Sequence, residues 1–222
     1  MITASDQFIK KYPSAHAGIL IIRDVQNPSS HAQLEETKRQ IEMDLRNRFS
    51  ALDAQALSTI PLLCAYTAYY KQFNKTYHVL GQLVSIIHKG KSIPTVSALV
   101  EAMFMAELKN GLLTAGHDLD QIHMPISINI AEGDEHYVVM RGQDQVLKSG
   151  DMYISDEESI LSSVLYGPDQ RTQITPATKN VLFTVYAPEG VDPEAVKSHL
   201  TDICNLVLIV SPQAKMDQLQ VI

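Results

Sequence analysis

The chain has 222 residues, 45% of them hydrophobic and 19% charged, with a formal net charge of -7. That length allows one large domain or two small ones, and the composition excludes a disordered chain or a coiled coil. The acidic balance argues against a protein that grips nucleic acid through bulk positive charge, so any RNA contact has to rest on a local patch.

Ala17 to Arg23 is a short apolar run of strand length, followed by the turn cluster Asn27-Pro-Ser-Ser. From His31 to Leu52, the apolar residues Leu34, Ile41, Leu45 and Phe49 recur at helical spacing among charged ones, which predicts an amphipathic helix with a solvated charged face. Pro61 opens a second helix over Leu62–Phe73. A third spans Val79–His88 and ends at Gly90, a left-handed cap with basic neighbours. The fourth follows Pro94, carries the stripe Val96, Leu99, Val100, Met103, Phe104 and Leu108, and stops at Asn110-Gly111.

After Leu113 the pattern becomes β. Ile126, Ile128 and Ile130 alternate with polar residues, and the polar link Ala131–Glu135 into His136–Met140 predicts a hairpin. Met152–Ile154, Ile160–Tyr166 and Val181–Tyr186 are further strands. Asp192-Pro193-Glu194 opens a helix through about Leu206. Clustered strands and clustered helices predict an α+β fold. The expected layout is one domain over 1–222: residues 1–113 a mainly helical half after one strand, and 114–222 a mainly β half with a C-terminal helix.

Cys64 and Cys204 lie on apolar helix patterns without metal-ligand spacing and read as buried free thiols. Lys10 and Lys11 precede no apolar block, and no apolar run approaches about 18 residues, so a soluble cytoplasmic protein is expected. Trp is absent, leaving nine Tyr and five Phe for stacking or core volume.

Three constellations carry chemistry. His117-Asp118-Leu119-Asp120 is suited either to poise a water or hold a cation, or to form a turn capped by Asp118. Arg171-Thr172 with Lys179 suits phosphate or carboxylate recognition, or an arginine tying loop carbonyls. His88-Lys-Gly-Lys91 reads as a solvated helix end in preference to an RNA patch. The sequence contains no nucleophile elbow, Walker-type loop, dinucleotide fingerprint or Cys-x-x-Cys pair.

Taken together, several segments resemble the B3/B4 domain of the phenylalanyl-tRNA synthetase β subunit. They are Ile21-Ile-Arg23, Tyr69–Lys75, Lys89–Pro94, Gly116–Ile122, Ile130–Glu135, Arg171–Thr175, Thr178–Phe183 and Gly190–Pro193. The resemblance covers most of the length and is closest to stand-alone members. It implies a three-layer α+β fold, with helices packed on a β-sandwich-like core, and an amino-acid-sized pocket linked to tRNA binding and editing.

The family's catalytic pattern is altered. Thr184 follows Asn180–Phe183 where a glutamate is expected, Ala115 takes the place of the histidine with His117 two positions on, and Phe104 replaces an asparagine. Gln170 replaces an acid, Tyr166 stands in a loop that often carries Trp, and an insertion before Gly190 is missing.

The resemblance implies Thr184, His117 and Thr172 as catalytic candidates. Gly116, Asp118, Asp120, Tyr166, Asp169, Arg171, Asn180 and Phe104 follow as substrate-binding candidates, and Lys89, Lys91 and Lys179 as RNA contacts. No metal or cofactor is expected. The expected function is binding of tRNA or aminoacyl-tRNA, with hydrolysis of mischarged aminoacyl-tRNA in trans. The alternatives are an inactive module for a free amino acid or other small molecule, and a partner-binding protein whose tail Lys215–Ile222 adds an edge strand.

Overall fold

The computed structural model describes residues 2–222. In chain order the elements are β1 (Ile2–Ala4), α1 (Asp6–Lys11), β2 (His16–Arg23), α2 (Ala32–Phe49), α3 (Ala54–Ser58), α4 (Pro61–Gln72), α5 (His78–Lys89) and α6 (Ala98–Asn110). There follow β3 (Thr114–Asp118), a 3-10 turn (Leu119–Gln121), β4 (Ile126–Ile130), β5 (His136–Val138), β6 (Asp144–Val146), β7 (Met152–Ser155), β8 (Ile160–Ser163), β9 (Gly167–Pro168), β10 (Val181–Ala187), α7 (Pro193–Val210) and β11 (Lys215–Val221).

The strands form a sheet of order β11-β2-β10-β3, a second of order β1-β4-β7-β8-β9, and the separate ribbon β5-β6. β2 and β10 are central and almost wholly buried, which is why both read as continuous apolar runs. Residues alternate between faces along a strand. Gly18 turns toward α7, where an added Cβ would fall 2.6 Å from Val196 Cγ1. Tyr186, on the opposite face, reaches Ser162 of β8 in the second sheet. The layers are therefore helix, four-stranded sheet and five-stranded sheet, with α6 and α7 against the four-stranded sheet and α2 packed on those two helices. The expected α+β, three-layer class is what the chain adopts.

Local signals set many boundaries. Asp192 caps α7 by accepting from Glu194 N–H, with Pro193 in the first turn. Gly90 and Gly111 end α5 and α6 at φ 63° and 72°.

Four expectations change. β4 pairs with β1 and β7 rather than with the following segment, whose residues 136–138 pair with β6 instead. The reason is that Glu135 folds its carboxylate back onto the N–H groups of Glu132 and Gly133, which breaks the link between the two strands. The charged face of α2 is not all solvated: Lys38 and Glu42 are buried, with Lys38 Nζ 2.9 Å from Glu101 and Glu42 accepting from Ile93 N–H. Cys64 is exposed, while Cys204 is buried. The tail does form an edge strand, β11, but on the chain's own sheet beside β2.

Candidate functional site

A cavity of about 540 Å³ opens where an edge of each large sheet, β3 in one and β9 in the other, comes together. Its walls are α6, β3, the turn from Ser163 to Pro168, the first turns of α5, and Gln173 with Ile174. That volume is in the range of small-molecule sites. Val100, Met103, Phe104 and Glu107 line it because their spacing puts them on one face of α6.

The register of β3 decides what its edge offers. Leu119 N–H donates to Asn180 and Tyr186 N–H to Leu113, so the odd-numbered residues of β3 bond β10 and the even-numbered ones face outward. Thr114 N–H donates to Glu107 Oε2 at 3.3 Å, and Asp118 N–H to Thr172 C=O at 2.7 Å. Between them, the N–H and C=O of Gly116 point toward the cavity. Gly116 is a wall by necessity: an added Cβ would lie 2.8 Å from Ile174 Cδ1 and 3.3 Å from Met103 Sδ.

Tyrosines brace the floor. Tyr186 Oη donates to Ser162 C=O at 2.8 Å and accepts from Ile154 N–H at 3.2 Å. Tyr66 donates to Tyr186 C=O and accepts from Leu113 N–H at 3.1 Å. Behind Leu165, buried Asp151 accepts from Leu165 N–H and from Tyr69 Oη, and its burial pushes the carboxyl up to about 7. At the rim, Lys75 Nζ sits over the Tyr166 ring, 4.4 Å from its centre.

Glu107 is 3% exposed, and burial pushes its carboxyl up to about 8. Its Oε1 is 3.9 Å from Nε2 of His78, a half-exposed ring whose pKa burial lowers. Behind Thr114, the wholly buried His199 accepts from Asn110 at Nδ1 and donates from Nε2 to Thr114 Oγ1, 2.7 Å away. Burial pulls its pKa down to about 3, so it stays neutral.

A family model described as the B3/4 domain matches residues 64–211, two-thirds of the chain. The chain belongs to the B3/4 domain family. The phenylalanine--tRNA ligase beta subunit of Fusobacterium nucleatum subsp. nucleatum is 34% identical over 76 residues, which are 33% of this chain and 10% of that protein. A crystal structure of an N-terminal fragment of the phenylalanyl-tRNA synthetase beta-subunit from Pyrococcus horikoshii superposes with a TM-score of 0.56 at 13% identity, over 100% of this chain and 53% of that one. That likeness shows the shared fold. This B3/4 chain thus spans a tenth of its curated relative and about half of the solved fragment.

Within this B3/4 fold, Gly116, Phe104 and Tyr166 are the expected site residues that line the cavity. His117, Thr172 and Thr184, the catalytic candidates, are 0% exposed and lie outside its wall. His117 donates from Nδ1 to Thr172 Oγ1 at 2.8 Å, and Thr172 donates to Asp169. Thr184 Oγ1, on the face between the sheets, has no hydrogen-bond partner.

Asp118 accepts from Asp120 N–H and Thr178 Oγ1, while Asn180 donates to Asp120, so these three tie the end of the sheet. Arg171 is engaged by Asp156 at 2.8 Å and by Gln121 C=O. Lys179 lines a shallow groove with Asn27 and Pro28 that adjoins the cavity through Val96 and Ser97. Lys89 is the last residue of α5, about 16 Å along the helix axis from His78 at 1.5 Å per residue, and Lys91 follows the Gly90 cap.

Glu107, His78, Met103 and Ile174 are cavity residues that sequence reasoning did not select. For Glu107 a signal existed: it continues the Val100, Met103, Phe104 stripe at i+7, a charge on an apolar face. Ile174 carries no such mark, because only the loop's path brings it to Gly116. Among the described residues, no group of three His, Cys, Asp or Glu side chains is placed to hold a metal, and no helix is long and apolar enough to cross a membrane.

Proposed function

We propose that this B3/4 chain binds the aminoacyl end of a charged transfer RNA, with the amino-acid side chain in the cavity, and hydrolyses mischarged esters in trans. The observation that carries this is a mainly apolar cavity of about 540 Å³, walled by the outward-facing backbone of Gly116 and roomy enough for an aminoacyl group. The link to transfer RNA comes from the β-subunit relatives. An ester carbonyl beside Gly116 N–H gains a donor for the oxyanion of a tetrahedral intermediate, the interaction that most strongly assists acyl transfer. Of the wall hydroxyls, Thr114 receives a hydrogen bond from neutral His199 and Ser163 is held by Asp151 and Tyr166 N–H, so both are fixed in the fold and the attacking group in this reading is water.

The whole chain acts as one domain in this account, since β2 and β11 lie outside residues 64–211 yet share a sheet with β10. The setting is the cytoplasm, where charged transfer RNA is found.

Incubation with a panel of mischarged transfer RNAs, including tyrosine on the phenylalanine acceptor, tests the reading. Release above buffer hydrolysis for at least one member supports it, and none for any member removes the enzyme.

One observation favours a second reading, a binding module for a free hydrophobic amino acid. Lys89, Lys91 and Lys179 do not line the cavity, and the net charge is -7. Thermal shifts by free amino acids without any effect of transfer RNA would select it.

A further inference from the structure

We propose that Glu107 is the binding site for a primary ammonium group, so that the cavity takes ligands joining an apolar body to a cationic amine. This rests on the cavity being the ligand site proposed above. It adds a residue that the altered family pattern does not supply.

Glu107 projects from α6 into a wall formed mainly by Met103, Phe104, Leu113 and Leu165. One carboxylate oxygen is used: Oε2 accepts from Thr114 N–H. Oε1 has only the His78 ring near it, at 3.9 Å, beyond hydrogen-bond reach. A glutamine would satisfy Thr114 equally well, and a buried carboxylate without a counter-charge is costly to maintain. A structural role therefore leaves the second oxygen, and the choice of an ionisable carboxyl over an amide, unexplained.

The groups that face Glu107 supply no fixed cation. From α4 and the segment before α5 come the phenols Tyr66, Tyr70 and Tyr77. From α5 comes His78, which burial keeps neutral at and above pH 7. From β3 comes Thr114, backed on α7 by neutral His199. No lysine or arginine lines the cavity, and Lys75 sits over Tyr166. A ligand ammonium supplies the missing charge, and apolar walls exclude water from the contact. Near neutral pH the buried carboxyl holds a proton, so pairing with an ammonium expels that proton to solvent.

Isothermal titration calorimetry of the full chain at pH 7.5 with 2-phenylethylamine and its neutral counterpart 2-phenylethanol tests this. The expected result is at least tenfold tighter binding of the amine, with a binding enthalpy that changes with buffer because a proton is released. Glu107→Gln should bring the two ligands level. Equal binding of both by the wild-type chain, or an amine preference that survives Glu107→Gln, overturns the ammonium site while leaving the cavity reading intact. Binding of neither overturns both. If Glu107→Gln does not fold, the wild-type ratio and the proton release decide.

Discussion

Gly116 and Ile174 meet at the cavity wall with no room for a methyl group between them, since a Cβ on Gly116 would lie 2.8 Å from Ile174 Cδ1. The obstructing atom is the end of a flexible side chain, so an alanine moves Ile174 rather than the strand. Gly116→Ala is expected to cost about 1–3 kcal/mol in stability and to weaken a cavity ligand at least tenfold. Adding Ile174→Ala should recover most of the binding. Calorimetric affinities of the three proteins check this, and unaltered affinity in the single variant would show that the ligand does not use this wall.

Glu107 makes stability fall with rising pH from about 4.5 to about 8. Its folded-state carboxyl titrates at about 8 against an ordinary 4.5, so between those values the folded chain holds a proton that the unfolded chain has lost. Stability contributed by this group therefore falls as pH rises through that window. Glu107→Gln removes the dependence, and the variant should gain on the wild type between pH 5 and pH 9, by up to about 1.4 kcal/mol per pH unit. Urea unfolding at the two pH values measures it. A difference that does not change with pH contradicts the assignment.

His199 acts on the acid side. Burial lowers it to about 3 from 6.5, so the folded chain refuses a proton that the unfolded chain accepts, and stability falls as pH drops from 6.5 toward 3. His199→Ala loses packing and the bond to Thr114, a cost of about 2–4 kcal/mol at pH 7. At pH 4 the cost should be smaller, because the wild type is then penalised. Denaturation at both pH values decides, and a larger cost at pH 4 would overturn this view.

Thr172 links His117 to Asp169 in the closed interior. Thr172→Val leaves both partners short of a hydrogen bond and should cost about 1–3 kcal/mol, with affinity for a cavity ligand within twofold of wild type. A loss of binding or hydrolysis out of proportion to stability would return the three buried candidates to a catalytic role.

The fold was legible where local chemistry sets it. Pro61, Gly90, Gly111 and the Asp192-Pro193 pair mark helix ends by backbone rules that need no tertiary partner. The pairing of β4 was not, because a parallel partner 124 positions away leaves no mark in an alternating pattern, and β1, that partner, is three residues long. At the site, the family resemblance led to Gly116, Phe104 and Tyr166. His117, also implied by the resemblance, does not line the cavity, because neighbours along a strand face opposite sides of a sheet. Gly116 meets Ile174 at the cavity wall, whereas His117 points between the sheets. Lys38 and Glu42 show the same limit, as charges whose burial depends on Glu101 and Ile93 from distant segments.

In the proposed reading, the cavity between β3, α6 and the β8–β9 turn receives an aminoacyl group. The most direct measurement is a crystal structure of the chain with a non-hydrolysable 3′-amide-linked phenylalanyl adenosine. The phenyl ring is expected between Phe104 and Tyr166, the carbonyl oxygen at Gly116 N–H and the ammonium at Glu107. Adenosine seated in the Asn27 and Lys179 groove with the cavity unfilled, or no binding at saturating concentration, would contradict it.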